Sequence, residues 1–324
     1  MSLSAVILAA GRSTRMKSRR PKPLAEVCGL PMLDYILRAC YDAGCSKVVV
    51  VIGHGKDEVL AQFGDDKRII WVEQTEQLGT GHAVKVCSEQ LSELGGDMFI
   101  LAGDGPLIRA QVLKTLLQAH TDEHASATMA TAILEDPTGF GRITRDAQGR
   151  FLDIVEQIDC TPEQLNIREV FPSYYCVHTG DLLWALGKLT NDNRKKEFYL
   201  TDIFGHLRRA GKSIAAVQAV AAEDVLSVNT RQQQAEVDAI MQDRIQRTHR
   251  DAGVSIVSPH TTYVEAGTKI GVDTVLHPFS FVGRESEIGS DCVVGPFAMI
   301  PRNSLVPDGA TVTGNVSSET SGSR

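Results

Sequence analysis

The carboxyl-terminal part of this 324-residue sequence carries an aliphatic residue at every sixth position. These residues are Val264, Ile270, Leu276, Val282, Ile288, Val294, Ile300, Val306 and Val312. Such a hexad is typical of one face of a triangular β-helix coil, in which the aliphatic side chain points into the prism. Because three hexads make one coil, the pattern predicts a short β-helix of about three coils over residues 252–316.

The first two thirds of the sequence alternate between strand-like and helix-like runs. The strand-like runs are 6–8, 47–52, 69–72 and 98–101, and the helix-like runs are 32–43, 58–63, 82–91 and 111–120. This alternation predicts right-handed βαβ units and an α/β, Rossmann-like domain over residues 1–228 with a mostly parallel mixed sheet. A connecting helix is expected at 229–251 and a disordered tail at 317–324.

A cluster of cations follows the first strand-like run. The run ends in small residues and Gly11, and the next eleven residues hold six cations and no acid. The backbone of Leu8, Ala9, Ala10 and Gly11 is therefore expected to approach phosphate oxygens, which the neighbouring Arg and Lys side chains neutralise. The segment predicts a site for a nucleoside triphosphate at the carboxyl end of a strand.

This segment resembles the LAAGxGTRM…PKxL signature of the sugar-nucleotide pyrophosphorylases. Six further matching segments follow in order: EQLGTGHA at 76–83, LAGDGPLI at 101–108, DPTGFGRI at 136–143, VEQ at 155–157, EFYLTDI at 197–203 and SVNTR at 227–231. Over about residues 4–250 the chain is similar to the uridyltransferase half of the bifunctional N-acetylglucosamine-1-phosphate uridyltransferase/glucosamine-1-phosphate acetyltransferases. The resemblance implies uridylyl transfer from UTP to N-acetylglucosamine 1-phosphate or a related hexose phosphate.

The resemblance also implies roles at the phosphates. A sugar phosphate is already an anion, so the reaction needs cations and a metal rather than a general base. Arg15 matches the position that binds the β- and γ-phosphates, and Lys22 the one that binds the α-phosphate and the incoming sugar phosphate. Asp104 and Asn229 match the ligands of Mg²⁺, which prefers few protein oxygens. An alternative for Asp104 is an N-cap for the following helix.

Further residues match the positions that contact the base, ribose and sugar in the family. The expected nucleotide contacts are Gln74, Gln77, Gly79, Thr80, Ala102 and Gly103, and the expected sugar contacts are Gly141, Glu156, Tyr199 and Thr201. The Gln74 amide offers a donor and an acceptor that complement the imide edge of uracil. His82 lies in the same segment and is expected in the first turn of a helix rather than in catalysis.

Two positions depart from the family pattern. Ser13 stands where the relatives have a second glycine, which tolerates unusual backbone conformations better than serine. Phe171, Pro172 and Ser173 replace an Asn-Ser/Thr-Gly segment whose Asn touches the sugar. The sugar pocket is therefore expected to be altered. The relatives also have a longer β-helix, so we expect no acetyltransferase activity here and a short prism that assembles the chain into a homo-oligomer, with a trimer favoured.

Composition excludes several other classes of protein. A net charge of −7 argues against general nucleic-acid binding. No apolar stretch approaches the ~20 residues that span a bilayer, and the first residues do not read as a signal peptide. The seven cysteines are scattered without a CxxC pair, which predicts free thiols in a reducing cytoplasm and neither zinc nor disulfides.

Three alternatives to a UDP-sugar pyrophosphorylase remain at this point. The first is a relative that uses another pair, such as a dTDP-glucose or GDP-mannose pyrophosphorylase, although QLGTGHA and SVNTR favour uridine. The second is a non-catalytic regulator that binds a sugar nucleotide, which only the departures at Ser13 and Phe171-Pro172 support. A dinucleotide-dependent dehydrogenase fits poorly, because no GxGxxG follows the first strand.

Overall fold

The chain divides into two compact units in the computed structural model, which describes residues 2–11, 14–193 and 195–315. Unit 1 comprises residues 1–25 and 32–230, and unit 2 comprises residues 26–31 and 231–324. The short segment 26–31 is therefore an excursion of the amino-terminal chain into the carboxyl-terminal unit. Ser13 and the expected tail at 317–324 lie outside the described residues.

The helices and strands are numbered here in chain order. The strands are β1 Leu3–Leu8, β2 Glu26–Val27, β3 Leu30–Pro31, β4 Lys47–Ile52, β5 Ile69–Glu73, β6 Asp97–Ala102, β7 Ala127–Ile133, β8 Arg142–Arg145, β9 Phe151–Val155, β10 Glu169–Val170, β11 Tyr174–His178, β12 Ile214–Gln218, β13 Ser255–Ile256, β14 Tyr263–Val264, β15 Lys269–Ile270, β16 Val275–Leu276, β17 Phe281–Val282, β18 Glu287–Ile288, β19 Val293–Val294, β20 Met299–Ile300, β21 Leu305–Val306 and β22 Thr311–Val312. The helices are α1 Met32–Asp42, α2 Lys56–Phe63, α3 Thr80–Lys85, α4 Ser88–Leu94, α5 Ala110–Asp122, α6 Pro162–Leu165, α7 Thr179–Leu186, α8 Asp202–Arg209 and α9 Arg231–Asp251.

Unit 1 is built on a ten-stranded mixed sheet in the order β5-β4-β1-β6-β11-β7-β10-β8-β9, with β12 beside β7. The strands β5, β4, β1 and β6 run parallel, as expected from the βαβ alternation. Strand β11 joins β6 and β7 in antiparallel pairs. The predicted α/β, Rossmann-like fold is confirmed.

This sheet is buried on both faces. Alternate residues of each central strand pack into two different hydrophobic clusters. In β1, Ala5 and Ile7 pack into one hydrophobic cluster, which includes α1 and α5, and Val6 packs into the other. The second cluster includes α3, α4, α7 and α8. A strand that is buried on both faces reads as a continuous apolar run, which is the pattern that the sequence shows here.

Strands β1 and β6 end side by side, with Leu8 paired to Ala102. The two chains that leave them stay close, since the Gly103 N–H donates to the Leu8 carbonyl over 2.9 Å. A Cβ at Gly103 would lie 2.6 Å from the Leu8 carbonyl oxygen. Only glycine fits this approach, which brings the Gly11 loop and Asp104 to one edge of the sheet.

Unit 2 contains α9 and a β-helix with three parallel sheets, β13-β16-β19-β22, β14-β17-β20 and β15-β18-β21. Each strand pairs with a strand one coil later, as in Val264 with Val282 and Ile270 with Ile288. The aliphatic residues of the hexads pack against one another inside the prism. The predicted left-handed β-helix is confirmed, and its stacked coils are the reason for the six-residue period.

Two expectations from composition can be compared with the described chain. All seven cysteines are free thiols. Among the helices of the described segments, none is both long enough and apolar enough to cross a membrane.

Candidate functional site

A cavity of about 390 Å³ opens in unit 1 at the carboxyl ends of β1 and β6. Residues that the sequence predicts for the site form much of its wall: Leu8, Ala9, Gly11, Lys22, Thr80, Ala102, Gly103, Asp104, Glu156, Tyr199 and Thr201. Ligands of open α/β sheets bind at this edge. The volume lies within the range of small-molecule sites.

Four residues that the sequence assigns to the phosphates and the metal meet in one hydrogen-bonded cluster, and two of them, Lys22 and Asp104, line the cavity. The Lys22 ammonium lies 2.6 Å from Asp104 Oδ2 and donates to Asn229 Oδ1 over 2.8 Å. Arg15 donates to the same Asn229 oxygen over 2.9 Å. The Lys22 side chain is only 13% exposed, so its charge interacts strongly with the carboxylate. We call Arg15, Lys22, Asp104 and Asn229 the phosphate-end cluster.

Local backbone structure places each member of this cluster. Lys22 opens a 3₁₀ turn, Lys22–Leu24, in which the Leu24 N–H donates to the Pro21 carbonyl. Asp104 follows β6, and its carbonyl accepts a hydrogen bond from Val228, the residue before Asn229. Helix α5 begins only at Ala110. The alternative role of Asp104 as an N-cap of that helix is therefore wrong.

The oxygen atoms of the cluster are suitable ligands for Mg²⁺. Asp104 and Asn229 offer one carboxylate and one amide oxygen, and both already accept from the Lys22 ammonium, so this position favours a cation. In the segments that the structure describes, no group of three or more His, Cys, Asp or Glu side chains forms a protein cage for a metal. In nucleotide sites Mg²⁺ prefers a coordination shell with few protein oxygens, completed by phosphate oxygens and water.

Gln74 and Gln77, two of the predicted nucleotide contacts, lie beside the cavity wall rather than in it. Gln74 is buried; its Nε2 donates to the Gly79 carbonyl over 3.3 Å and lies 3.0 Å from His82 Nδ1. The Gln77 amide donates to the Ala10 carbonyl over 2.9 Å. Gln74, Gln77 and Ala10 thus support the loop around the site, and their contact with a base stays a prediction.

Gly79 and Thr80 connect this loop to the segment that carries Tyr199 and Thr201. Gly79 has a φ of +107°, and a Cβ there would lie 2.6 Å from the Phe198 carbonyl oxygen. Thr80 is the first residue of α3, and its hydroxyl accepts from the Leu200 N–H over 3.1 Å. The close approach that glycine permits therefore draws the Tyr199 segment against the cavity.

Glu156, a predicted sugar contact, lines the cavity. Water reaches this side chain through the cavity, yet the surrounding protein raises the pKa of its carboxyl, and the Lys195 ammonium opposes that rise. Gly141 lies behind it: a Cβ there would be 3.1 Å from Ile154 Cγ2 and 3.9 Å from Glu156 Cδ. Gly141 thus shapes the space around Glu156 from outside the cavity wall.

Several wall residues were missed in the sequence. They include Pro23, Asp159, Tyr175, Lys195 and Glu197. The Lys195 ammonium lies 5.9 Å from the centre of the Tyr199 ring. Lys195 and Glu197 lie in or beside the EFYLTDI segment, so its match to the family was a signal for both. Tyr175 carried no such signal, because it reads as one more buried strand residue.

Phe171, which departs from the family pattern, does not line the cavity. Phe171 is buried, with its ring 4.6 Å from the Tyr175 ring and 6.4 Å from that of Phe204, so it packs in the core and not in the cavity wall. Ser173 lines the cavity instead, with a left-handed φ of +64°. Ser173 and Tyr175 thus line the part of the wall where the resemblance predicts the sugar-contacting Asn.

Comparison with known proteins was made for sequence and fold. The family profile described as "MobA-like NTP transferase domain" matches residues 5–197. The bifunctional protein GlmU of Alkaliphilus metalliredigens is 43% identical over 278 residues, and that of Brevibacillus brevis 42% over 280. Each match covers 86% of this chain and 60% of the relative, so the chain spans about 60% of the length of these curated relatives.

A solved structure of UDP-glucose pyrophosphorylase complexed with UDP-glucose has a similar fold. It superposes with a TM-score of 0.62 and 17% sequence identity. The alignment covers 75% of this chain and all of that chain. At this level of identity the likeness concerns the fold alone.

Proposed function

The chain belongs to the family of MobA-like NTP transferases, and from this premise we propose that it is a Mg²⁺-dependent pyrophosphorylase that transfers a uridylyl group from UTP to a hexose 1-phosphate. N-acetylglucosamine 1-phosphate or a related hexose phosphate is the proposed acceptor. The observation that carries the proposal is the phosphate-end cluster, in which Lys22 bridges Asp104 and Asn229, with Lys22 and Asp104 in the cavity wall. The name of the structural neighbour, UDP-glucose pyrophosphorylase, agrees with a sugar nucleotide as product.

The proposed reaction is an in-line displacement at the α-phosphorus of UTP. A phosphate oxygen of the sugar phosphate forms the new bond, the bond to the β-phosphate breaks, and pyrophosphate leaves with that electron pair. No proton has to move, so the barrier is mainly the repulsion and alignment of two anions. Lys22 neutralises the α-phosphate and the incoming phosphate, and Arg15 neutralises the leaving pyrophosphate.

Asp104 and Asn229 are the proposed ligands of the metal. Bound Mg²⁺ supplies charge neutralisation on the triphosphate oxygens. Glu156, with the hydroxyls of Tyr199 and Thr201 on the same cavity wall, is proposed to hold the sugar. Exposed apolar side chains on the β-helix, among them Leu305 and Phe297, support the further proposal of a homo-trimer formed through unit 2.

The proposed function is tested by measuring pyrophosphate release with Mg²⁺. UTP, dTTP, ATP, CTP and GTP are each combined with a panel of sugar 1-phosphates. We expect release with UTP and one hexose 1-phosphate. Release with dTTP or GTP instead would point to another pyrophosphorylase of the family. No release from any pair, with UTP or a UDP-sugar still bound, would contradict the enzyme and favour a regulator.

Replacement of Glu156 by glutamine is expected to raise KM for the sugar 1-phosphate about 10- to 100-fold and to leave KM for UTP within about threefold. The physical reason is that hydrogen bonds to a charged acceptor contribute about 1.5–3 kcal/mol. Because the surrounding protein partly desolvates the Glu156 carboxyl and raises its pKa, the wild-type enzyme should also lose sugar affinity as the pH falls through that raised pKa. Steady-state kinetics over a pH series measures both effects.

The matched control is Glu93→Gln, an exposed residue on α4 that does not line the cavity. It should leave both KM values and their pH dependence unchanged. A Glu156→Gln enzyme that keeps the wild-type pH dependence of the sugar KM would show that a different group titrates and that Glu156 does not hold the sugar.

A further inference from the structure

The chain crosses from unit 1 into unit 2 directly after two members of the phosphate-end cluster. Lys22 lies four residues before Glu26, where the excursion into unit 2 begins, and Asn229 lies two residues before Arg231, where α9 begins. The excursion returns at Met32, whose N–H donates to the Ala25 carbonyl over 3.0 Å. The backbone on which each of these two side chains is mounted is therefore continuous with a segment of unit 2.

The excursion is a tight hairpin with strain at its turn. Strands β2 and β3 pair Val27 with Leu30. The two turn residues, Cys28 and Gly29, have φ values of +45° and +80°. This left-handed pair suits a two-residue hairpin, but an L-residue such as Cys28 adopts it only against a steric cost. Contacts from elsewhere must hold Cys28 in place.

Helix α9 supplies the first set of these contacts. The Cys28 N–H donates to Asp238 Oδ1 over 2.7 Å, and the Tyr263 hydroxyl lies 3.0 and 2.9 Å from the two oxygens of the same carboxylate. Gln234 donates to the Glu26 carbonyl over 2.7 Å, and Gln242 to the Cys28 sulfur over 3.2 Å. Burial raises the pKa of the Cys28 thiol to about 12, so the thiol stays neutral and packs rather than reacts.

The first coils of the β-helix supply the second set. The Ala266 N–H donates to the Cys28 carbonyl over 2.9 Å, and Arg284 to the Gly29 carbonyl over 3.2 Å. The buried carboxylate of Glu265 lies under the turn, where a Cβ at Gly29 would come within 2.4 Å of its Cδ. Glycine is thus needed at this position for its conformation and for its lack of a side chain.

We propose that unit 2 is a clasp that positions the phosphate-end cluster: it binds the hairpin that follows Lys22 to the helix that follows Asn229, and so fixes the spacing of the two side chains. Asp238 and Gly29 are then positioning residues, which act through Lys22 and Asn229 and touch no substrate. This inference rests on the proposed function only for its kinetic consequence. Its structural consequence, an ordered Lys22–Leu24 turn, can be measured without turnover.

The test compares Asp238→Ala with two variants of graded severity. Tyr263→Phe removes only the hydroxyl that orients the carboxylate, and Asp238→Asn keeps an acceptor for the Cys28 N–H. Hydrogen exchange of the Leu24 and Ala25 amides reports the 3₁₀ turn, in which they donate to Pro21 and Lys22. Steady-state kinetics with UTP and the sugar 1-phosphate reports the alignment.

For Asp238→Ala we expect exchange at Leu24 and Ala25 to be at least about tenfold faster, with the amides of strand β4 unchanged. We expect kcat to fall about 10- to 100-fold, because a displacement of about 1 Å of a catalytic group has this effect, while KM for UTP changes less than about threefold. Asp238→Asn should recover most of the loss. Gly29→Ala, which cannot adopt the turn beside Glu265, should reproduce the defect by an independent route.

The matched control is Asp243→Ala on the same helix, whose carboxylate pairs with Arg247 and Arg250 and does not contact the hairpin. It should change neither exchange nor kcat. Folded Asp238→Ala and Gly29→Ala proteins with exchange and kcat within twofold of wild type would overturn the clasp. If Asp238→Ala fails to fold, Tyr263→Phe decides by the same two readouts. If the wild-type chain shows no turnover with any pair, the proposed function fails. The exchange rates at Leu24 and Ala25 alone then test whether unit 2 positions the phosphate-end cluster.

Discussion

Replacement of Asp104 by alanine is expected to lower kcat about a thousandfold or more while the protein stays folded. Asp104 brings the carboxylate to the phosphate-end cluster, where Lys22 lies 2.6 Å away. A carboxylate that holds a metal on the phosphates contributes several kcal/mol of charge stabilisation in the transition state, and each 1.36 kcal/mol is tenfold in rate. The side chain is 24% exposed, so its loss leaves no sealed cavity in the core.

Pyrophosphate release over a Mg²⁺ titration measures this effect. Asp104→Asn, which keeps an oxygen but loses the charge, should need more Mg²⁺ and retain more activity than the alanine variant. Asp65→Asn, an exposed position of unit 1, is the control and should behave as wild type. If Asp104→Ala kept kcat within tenfold of wild type, Asp104 would not hold the metal. A binder without catalysis would lose only metal-dependent affinity for UTP.

The sequence predicts those elements in which the spacing of apolar residues follows directly from which side chains are buried. Hexads predict the β-helix because one side chain in six must enter a narrow prism, and apolar runs predict β1, β4 and β6 because those strands are covered on both faces. The helix expected at 82–91 instead consists of two helices, Thr80–Lys85 and Ser88–Leu94. Val84, Cys87 and Leu91 are all buried, so the apolar spacing continues across the break and conceals it.

Some residues of the candidate site could also be predicted from the sequence, and others could not. Lys22 and Asp104 are readable from the sequence, because the carboxyl ends of parallel strands meet at one edge and the family segments mark them. Phe171 is different: the resemblance predicts a sugar contact at this position, but the ring packs in the core against Tyr175 and Phe204. Lys195 reaches the cavity only because the following segment is held against Gly79. Such placements depend on tertiary contacts that no local pattern encodes.

Replacement of Lys22 by methionine is expected to lower kcat about 100- to 1,000-fold, the range found when a preorganised donor to developing charge is removed. Methionine fills the space of the stem but leaves Asp104 and Asn229 without the ammonium that bridges them. Lys22→Arg should recover little activity, because a planar guanidinium does not replace a compact point charge. Lys114→Met, at an exposed position of α5, serves as the control.

The double variant Lys22→Met/Asp104→Ala separates a cooperating cluster from two independent contributions. Because residues that act as a unit are strongly non-additive, the double variant should lose little more activity than Asp104→Ala alone. Pyrophosphate release under single-turnover conditions gives the chemical rate for all four proteins. A loss equal to the product of the two single losses would mean that Lys22 and Asp104 contribute independently, and the ion pair between them would then play no part in the transfer.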